Sequence, residues 1–258
     1  MQIVGYEPGT PNEPAALRLA ADGSVRSRPL LPGTDLDYGL GPRHCAGEVD
    51  GENHAACSNT EAPYCTAHTS TWPCAVCRGD CAMPLEACHE EHVVYLAAFE
   101  PATFKVGVTR SWRLERRLGE QGAARGAKIR TVENGRIARR IEADLATEIP
   151  DRVAVARKIE GVARAVDESA WESLLTEFDG GPELRFDYGL DLASQPIPAT
   201  MAAGTVRGSR GRILVLERGE STYGVDLRDL VGHEVVEGGP TAQRQVSLRA
   251  FGPASGSG

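Results

Sequence analysis

All seven cysteines of the chain fall between residues 45 and 88, and with His68 they sort into two sets of four metal-binding side chains. Cys45, Cys57, Cys65 and His68 form the first set, while Cys74, Cys77, Cys81 and Cys88 form the second, which opens with a C-x-x-C pair. Thiolates and imidazoles in fours suit a tetrahedral Zn²⁺ ion, and a shell closed by four protein ligands leaves no place for catalytic water. Two structural zinc ions are the expectation. Their partition stays open, because the C-x-x-C pair can close a shell with Cys45 and Cys57, and His89 or His92 can replace Cys88. His44 and His54 read as loop residues. The rival is a disulfide framework. An odd cysteine count disfavours it, as does an opening (MQIVGYEPGT) without the basic, apolar and small-residue pattern of a secretory signal. A cytoplasmic protein is the resulting expectation.

These ligands need elements to hold them, and residues 41–91 offer little apolar periodicity, so the metal itself is expected to order this module. Residues 1–40 carry short apolar stretches broken by PGTPNEP and LPGTD, the pattern of a small β lead-in. From residue 92 the pattern changes. VVYLAAF and FKVGVT read as a strand pair joined by a short turn, and Ser111 is placed to cap a helix with Trp112, Leu114 and Leu118 on its apolar side. KIRTVE (128–133) reads as a strand and Asn134-Gly135 as a turn. Ile137, Ile141 and Leu145 then fall on one stripe of a helix over 136–149. Another helix is expected over 167–178, capped by Asp167 and stopped by Gly180-Gly181. Residues 182–251 alternate short strand patterns with Gly-rich turns, as a small β-domain would, and 252–258 read as a flexible tail.

No run of apolar residues is long enough to cross a membrane as a helix. The net charge of −8 taken alone argues against a nucleic-acid partner. Between Phe104 and Glu142, however, eleven basic residues face four acidic ones. Arg110, Arg113, Arg116, Arg139 and Arg140 in that stretch are the candidate nucleic-acid contacts. Only three lysines occur beside 25 arginines, and with the acidic excess this composition fits a high-GC, salt-adapted source. Aromatic residues make up only 5% of the chain, too few to mark a base-stacking surface.

The order strand, strand, helix, strand, helix over 92–149 resembles the GIY-YIG nuclease scaffold, with Val93-Val94-Tyr95 standing for GIY and Lys105-Val106-Gly107 for YIG. The resemblance implies Tyr95 and Arg117 as groups that position water and the scissile phosphate, Gly107 as the motif glycine, and Glu142 as the ligand of Mg²⁺. The second motif tyrosine is replaced by Lys105, a phosphate-contacting cation in place of a phenol. The cysteine-rich segment followed by VYLA, KVGVTR, RLGEQGA and RIEADL also resembles a prokaryotic family of unknown function, in its haloarchaeal form, over residues 41–190. The expected architecture is therefore α+β: a zinc module, a GIY-YIG-like α/β unit with a following helix over 92–181, and a C-terminal β-domain. The expected function is nucleic-acid binding, with Mg²⁺-dependent phosphodiester cleavage or a non-catalytic adaptor role as the two outcomes.

Overall fold

Each end of this chain carries short alternating strands with too few apolar residues to enclose a core alone, so each must find a partner. The computed structural model describes residues 1–69, 77–81, 86–178 and 181–238. In chain order its elements are β1 (Gln2–Glu7), β2 (Ala16–Ala21), β3 (Ser24–Pro29), β4 (Asp35–Arg43), β5 (Glu48–Asp50), β6 (Asn53–Ala55), β7 (His92–Phe99), β8 (Thr103–Arg110), α1 (Leu114–Gln121), β9 (Arg125–Val132), α2 (Gly135–Leu145), α3 (Val155–Gly161), α4 (Glu168–Thr176), β10 (Glu183–Arg185), β11 (Ile197–Pro198), β12 (Ala202–Arg210), β13 (Ile213–Arg218), β14 (Ser221–Asp226), α5 (Leu227–Leu230) and β15 (His233–Glu237).

The two ends solve their problem together. Eleven strands form one sheet in the order β11-β14-β13-β12-β4-β15-β1-β2-β3-β6-β5. Gln2 pairs with Glu234, and Tyr38 in β4 pairs with Ala202 on one side and Glu237 on the other. Strands β1–β4 and β11–β15, from the segments expected as a lead-in and a separate β-domain, are thus interleaved in a single sheet, and residues 239–258, including the expected tail, lie outside the described residues. Leu17 and Leu19 from β2 share one buried cluster with Leu214 and Leu216 from β13 and Leu227 and Leu230 from α5. Two short strands, β5 and β6, extend this sheet into the cysteine-rich segment, which is therefore not ordered by metal alone.

The α/β unit is the second sheet, ordered β10-β9-β7-β8. β7 lies between two antiparallel neighbours and buries Val93 through Phe99, which explains its unbroken apolar run. Its side chains alternate between faces. Val94, Leu96 and Ala98 pack with Ala138 and Ile141 of α2 and with Trp171 of α4. Tyr95, Ala97 and Phe99 pack with Leu118 of α1 on the other face. Asn134 caps α2 by accepting from the Ile137 N–H at 3.0 Å, and Asp167 caps α4 by accepting from the Ala170 N–H at 3.0 Å.

The start of α1 departs from the sequence expectation. Ser111–Arg113 form a 3-10 turn, the Ser111 hydroxyl makes no cap and Trp112 is 68% exposed, because the tighter turn rotates the indole off the helix's buried side. α3 was not expected at all. It wedges between the two sheets, with Ile159 packed on Ile213 and Val215 of β13 and Gly161 so close to the Glu100 carbonyl that a Cβ there would lie 2.0 Å from it. Trp171 is fully buried, yet its indole N–H has no partner among the described residues. Trp171→Ala should therefore lower the unfolding free energy by about 3–5 kcal/mol, whereas Trp171→Phe, which removes the unsatisfied donor, should cost far less, as read by urea titration of both variants.

Candidate functional site

The first four-ligand set assembles as its spacing predicts. The donor atoms of Cys45, Cys57, Cys65 and His68 all lie within 4.8 Å of one another. Cys45 follows β4, Cys57 follows β6, and one helical turn from Cys65 brings His68 to the same side through the His68 N–H to Cys65 carbonyl bond of 3.0 Å. His68 Nδ1 lies 3.4 Å from Cys45 Sγ and 3.2 Å from Cys65 Sγ. Four ligands about 2.0–2.3 Å from a tetrahedral ion lie at comparable mutual separations, so the donor set fits zinc both in chemistry and in spacing. Burial alone would raise the Cys45 thiol, but the backbone N–H groups of Cys65 and Gly47, at 3.3 and 3.4 Å from its sulfur, hold it below the ordinary cysteine value. Glycine is required at position 47, which has a φ of +70° and where a Cβ would meet the Ala55 carbonyl at 2.1 Å. His44 and His54 are braces: His44 Nδ1 donates to the Cys57 carbonyl at 3.0 Å and, from β6, His54 Nε2 donates to the Ala46 carbonyl at 2.9 Å.

Of the second set, Cys74 lies outside the described residues. Cys77 repeats the Cys45 turn: the Gly79 N–H donates to Cys77 Sγ at 3.3 Å with Gly79 at a φ of +86°. Desolvation first, and then Cys77, raises the Cys81 thiol, and Cys88 adds to the rise. Cys88 Sγ and His92 Nε2 both flank Gly135, where an added Cβ would be 3.0 Å from each. His92 Nδ1 donates to the Glu90 carbonyl at 2.8 Å, which leaves Nε2 free to accept. All six described cysteines are free thiols, so no disulfide joins any of them.

β7, β8, α1 and α2 bring the four residues of the nuclease resemblance into one electrostatic group. Tyr95 faces Gly107 across the strand pair, and a Cβ on Gly107 would be 2.5 Å from the phenol oxygen. The glycine is there to admit the ring, not to bend the strand. Tyr95 is 1% exposed and its hydroxyl accepts from Gln121 Nε2 at 2.7 Å. Burial raises its pKa, Arg117 and Gln121 oppose that rise, and Glu142 adds to it. Lys105 Nζ donates to the Asp151 carbonyl at 2.7 Å, and burial together with Arg117 lowers its pKa to about 8 against the pull of Glu142 and Asp151. Glu142 accepts from Arg139 Nη1 at 2.6 Å and lines a cleft of about 480 Å³ with Cys77, Arg78, Arg139, Asp151 and Arg152.

The basic stretch is less bare than its count implies. Arg113, Arg116 and Arg117 converge on Glu120 at 3.4, 3.1 and 3.6 Å. Arg110 pairs with Glu90 at 2.9 Å and lies 4.6 Å from the centre of the Trp112 ring, whose indole N–H donates to the same Glu90. Arg140 packs beside Gly79 of the Cys77 turn. Gln121 lies in the RLGEQGA motif of the family resemblance, whereas Lys158 carries no sequence motif. Gln121 links α1 to Tyr95, and Lys158 of α3 donates to the Gln121 carbonyl at 2.8 Å. The one available signal for Lys158 was the scarcity of lysine itself.

A family model described as a protein of unknown function, DUF2797, matches residues 52–183, just over half of the chain. The chain belongs to this family. No curated protein and no solved structure matches it. The DUF2797 match takes in three of the four ligands of the first metal set, every cysteine of the second and the α/β unit up to the first residue of β10, while Cys45, just after β4, lies outside it. Among the described residues no helix is long and apolar enough to cross a membrane.

Two outcomes test this geometry. Purified without chelator, the protein should retain zinc, and the double variant Cys45→Ser/Cys65→Ser should lose one ion per chain together with several degrees of Tm; unchanged metal content by elemental analysis would mean that the donor set is misassigned. Lys105 and Lys158, at about 8 and about 7, bind protons more weakly in the fold than an ordinary lysine does. The unfolded chain therefore holds more protons above neutrality, and stability should rise as pH climbs from about 7 towards about 10. Urea titrations across that range should show a smaller rise in Lys158→Met than in wild type.

Proposed function

We propose that the protein is a zinc-containing nucleic-acid-binding protein built on a GIY-YIG-like α/β unit, and that the cleft of Tyr95, Lys105, Arg117 and Glu142 contacts and cleaves a phosphodiester. One observation carries this reading: residues from four separate elements, far apart in sequence, act on one another's charge, and one of them, Glu142, lines a cleft. Buried titratable groups with shifted proton affinities beside a cleft are the mark of a working site. The antiparallel order with β7 between β8 and β9, followed by α2, also supports the scaffold reading.

In this arrangement Arg117 and Lys105 supply positive charge to the phosphoryl oxygens, where negative charge builds as the bond breaks. With an amine titrating near 8, Lys105 is mostly protonated at neutral pH and serves as a cation at the phosphate, so the base role of the missing second tyrosine is not its task. Tyr95 is a positioning residue: its buried hydroxyl fixes Gln121 and faces Arg117. Glu142 is the carboxylate for Mg²⁺, which when bound would add Lewis-acid charge at the phosphate. Zinc at the Cys45 set, and a second ion held by Cys77, Cys81 and Cys88 with Cys74 or His92, would be structural.

The second reading is a binding module without turnover. It is favoured by the 2.6 Å pairing of Glu142 with Arg139, which occupies the one carboxylate offered to Mg²⁺, and by the burial of Tyr95. Retention of labelled DNA and RNA across a salt series, with and without Mg²⁺, separates the two. Arg117→Ala and Arg113→Ala should each lower affinity and flatten the dependence of log K on log salt by about one unit. Mg²⁺-dependent cleavage by wild type that Glu142→Ala abolishes, with Tm and zinc content kept, would establish catalysis. Retention without cleavage leaves the binding module, and no retention at low salt would sink both readings.

A further inference from the structure

Two of the three lysines in a chain with 25 arginines act on each other's charge. Lys158 Nζ lies 4.1 Å from the centre of the Phe99 ring and donates to the Gln121 carbonyl. Phe99, Ala97 and Tyr95 share one face of β7, and Lys105 stands opposite Ala97 on β8. The two amines and the phenol thus follow a single row of the sheet. Gln121 joins them, because its main chain holds Lys158 and its side chain holds Tyr95.

The charges that act most strongly on Lys158 are Lys105, Arg212, Arg210 and Arg117, of which Arg117 also faces Glu120 at 3.6 Å and Lys105 feels Glu142 and Asp151. Arg210 is matched by Glu100 at 2.8 Å and Arg212 by Asp226 at 2.6 Å. Among the described residues Lys158 meets only the Gln121 carbonyl and the Phe99 ring, and Lys105 the Asp151 carbonyl. A half-buried cation held by a neutral oxygen is costly, and an anion arriving from solution removes that cost. Arg210 Nη2, which also has no partner among the described residues, adds to the same shortage of acceptors.

We propose that Lys158 is a phosphate-binding residue that, with Lys105 and Arg117, forms a three-cation pocket for the non-bridging oxygens of a phosphate group. It builds on the reading of this cleft as a phosphodiester site and places α3 in the site as well. A tetrahedral anion with several charged oxygens suits three cations approaching from β8, α1 and α3, whereas a single carboxylate would leave the pocket positive. Burial and the four neighbouring cations hold the free amine near 7, so an arriving anion would restore its full charge.

The test uses the full-length, zinc-loaded protein, with inorganic phosphate and a short single-stranded oligonucleotide as separate probes. Phosphate at constant ionic strength should raise the Tm of wild type and of Lys158→Arg by several degrees and leave Lys158→Met unmoved. Lys158→Met should itself be folded and no less stable than wild type without phosphate, since it removes an uncompensated cation. Oligonucleotide affinity should fall several-fold in Lys158→Met, with the salt slope reduced by about one. If phosphate acts on wild type and not on Lys158→Met while neither binds the oligonucleotide, the pocket stands and the nucleic-acid reading falls. If the oligonucleotide binds and Lys158→Met matches wild type with both probes, the pocket is wrong and the nucleic-acid reading survives.

Discussion

The buried pair of Arg210 with Glu100 fixes the relation between the two sheets, and the site depends on that relation. Both side chains are about nine-tenths buried, and two charges taken out of water need more than each other to be tolerated. The Arg210 Nε–H donates to the Gly122 carbonyl at 2.8 Å, and the guanidinium lies 5.1 Å from the Tyr188 ring. The Tyr188 hydroxyl donates in turn towards the Gly119 and Ala123 carbonyls at 3.2 and 3.0 Å. Those carbonyls belong to the last turn of α1 and the residues just after it. A residue of the large sheet therefore sets where α1 ends, and with it where Arg117 and Gln121 stand over β7. Gly122, in the left-handed region at a φ of +71°, lets the chain turn under Arg210 where a side chain would collide with its backbone.

What could be read from the sequence divides along the range of the interactions. The first metal set, the capped helices α2 and α4 and the strand pair β7–β8 are encoded by short spacings, and the structure has them within a few residues of the expected bounds. The sharing of one sheet by residues 2–7 and 233–237 is encoded by nothing local. Both ends read correctly as β, but which strand pairs with which is settled only when Leu17 and Leu214 find the same core. Ser111 and Trp112 were misjudged for a different reason: a polar residue followed by an apolar stripe signals a cap only if the turn is α-helical, and here it is 3-10. The basic stretch was counted correctly, yet one glutamate placed among three arginines changes what solvent meets. Lys158 had no motif to announce it. Its importance arises from α3 entering between the sheets.

The two Cys-x-Gly turns show the same solution to one electrostatic problem. A thiolate that is to be buried needs donors that do not compete for the metal, and in both turns one is the backbone N–H two residues on, from a residue at positive φ. Gly47 and Gly79 supply it. Their surroundings differ in a way that matters for the cleft. The Cys45 turn is stitched to the large sheet by Gln2, whose side chain donates to the Cys45 and Gly232 carbonyls at 3.2 and 3.1 Å. The Cys77 turn instead lies on α2. A Cβ on Gly79 would be 2.3 Å from the Arg136 carbonyl, and Cys88 sits at Gly135, the first residue of that helix.

The placement of the second cysteine cluster thus bears on Glu142. Arg136 Nε donates to the Gly79 carbonyl at 3.4 Å, and two turns further along the same helix Glu142 shares its cleft with Cys77 and Arg78. A helix of eleven residues is too short to hold its position by its own hydrogen bonds, so its orientation comes from what its faces touch. One face is the apolar contact with β7 and β8; the Cys77 turn is the other contact, at the helix start. Anything that reorganises the Cys77 turn must then either leave Gly135 and Arg136 unsupported or carry them with it, and in both cases the Glu142 carboxylate moves relative to Lys105, which sits on a strand fixed by β7. The cysteine-rich segment is in this sense part of the cleft's framework, although none of its described sulfur atoms belongs to the group formed by Tyr95, Lys105, Arg117 and Glu142.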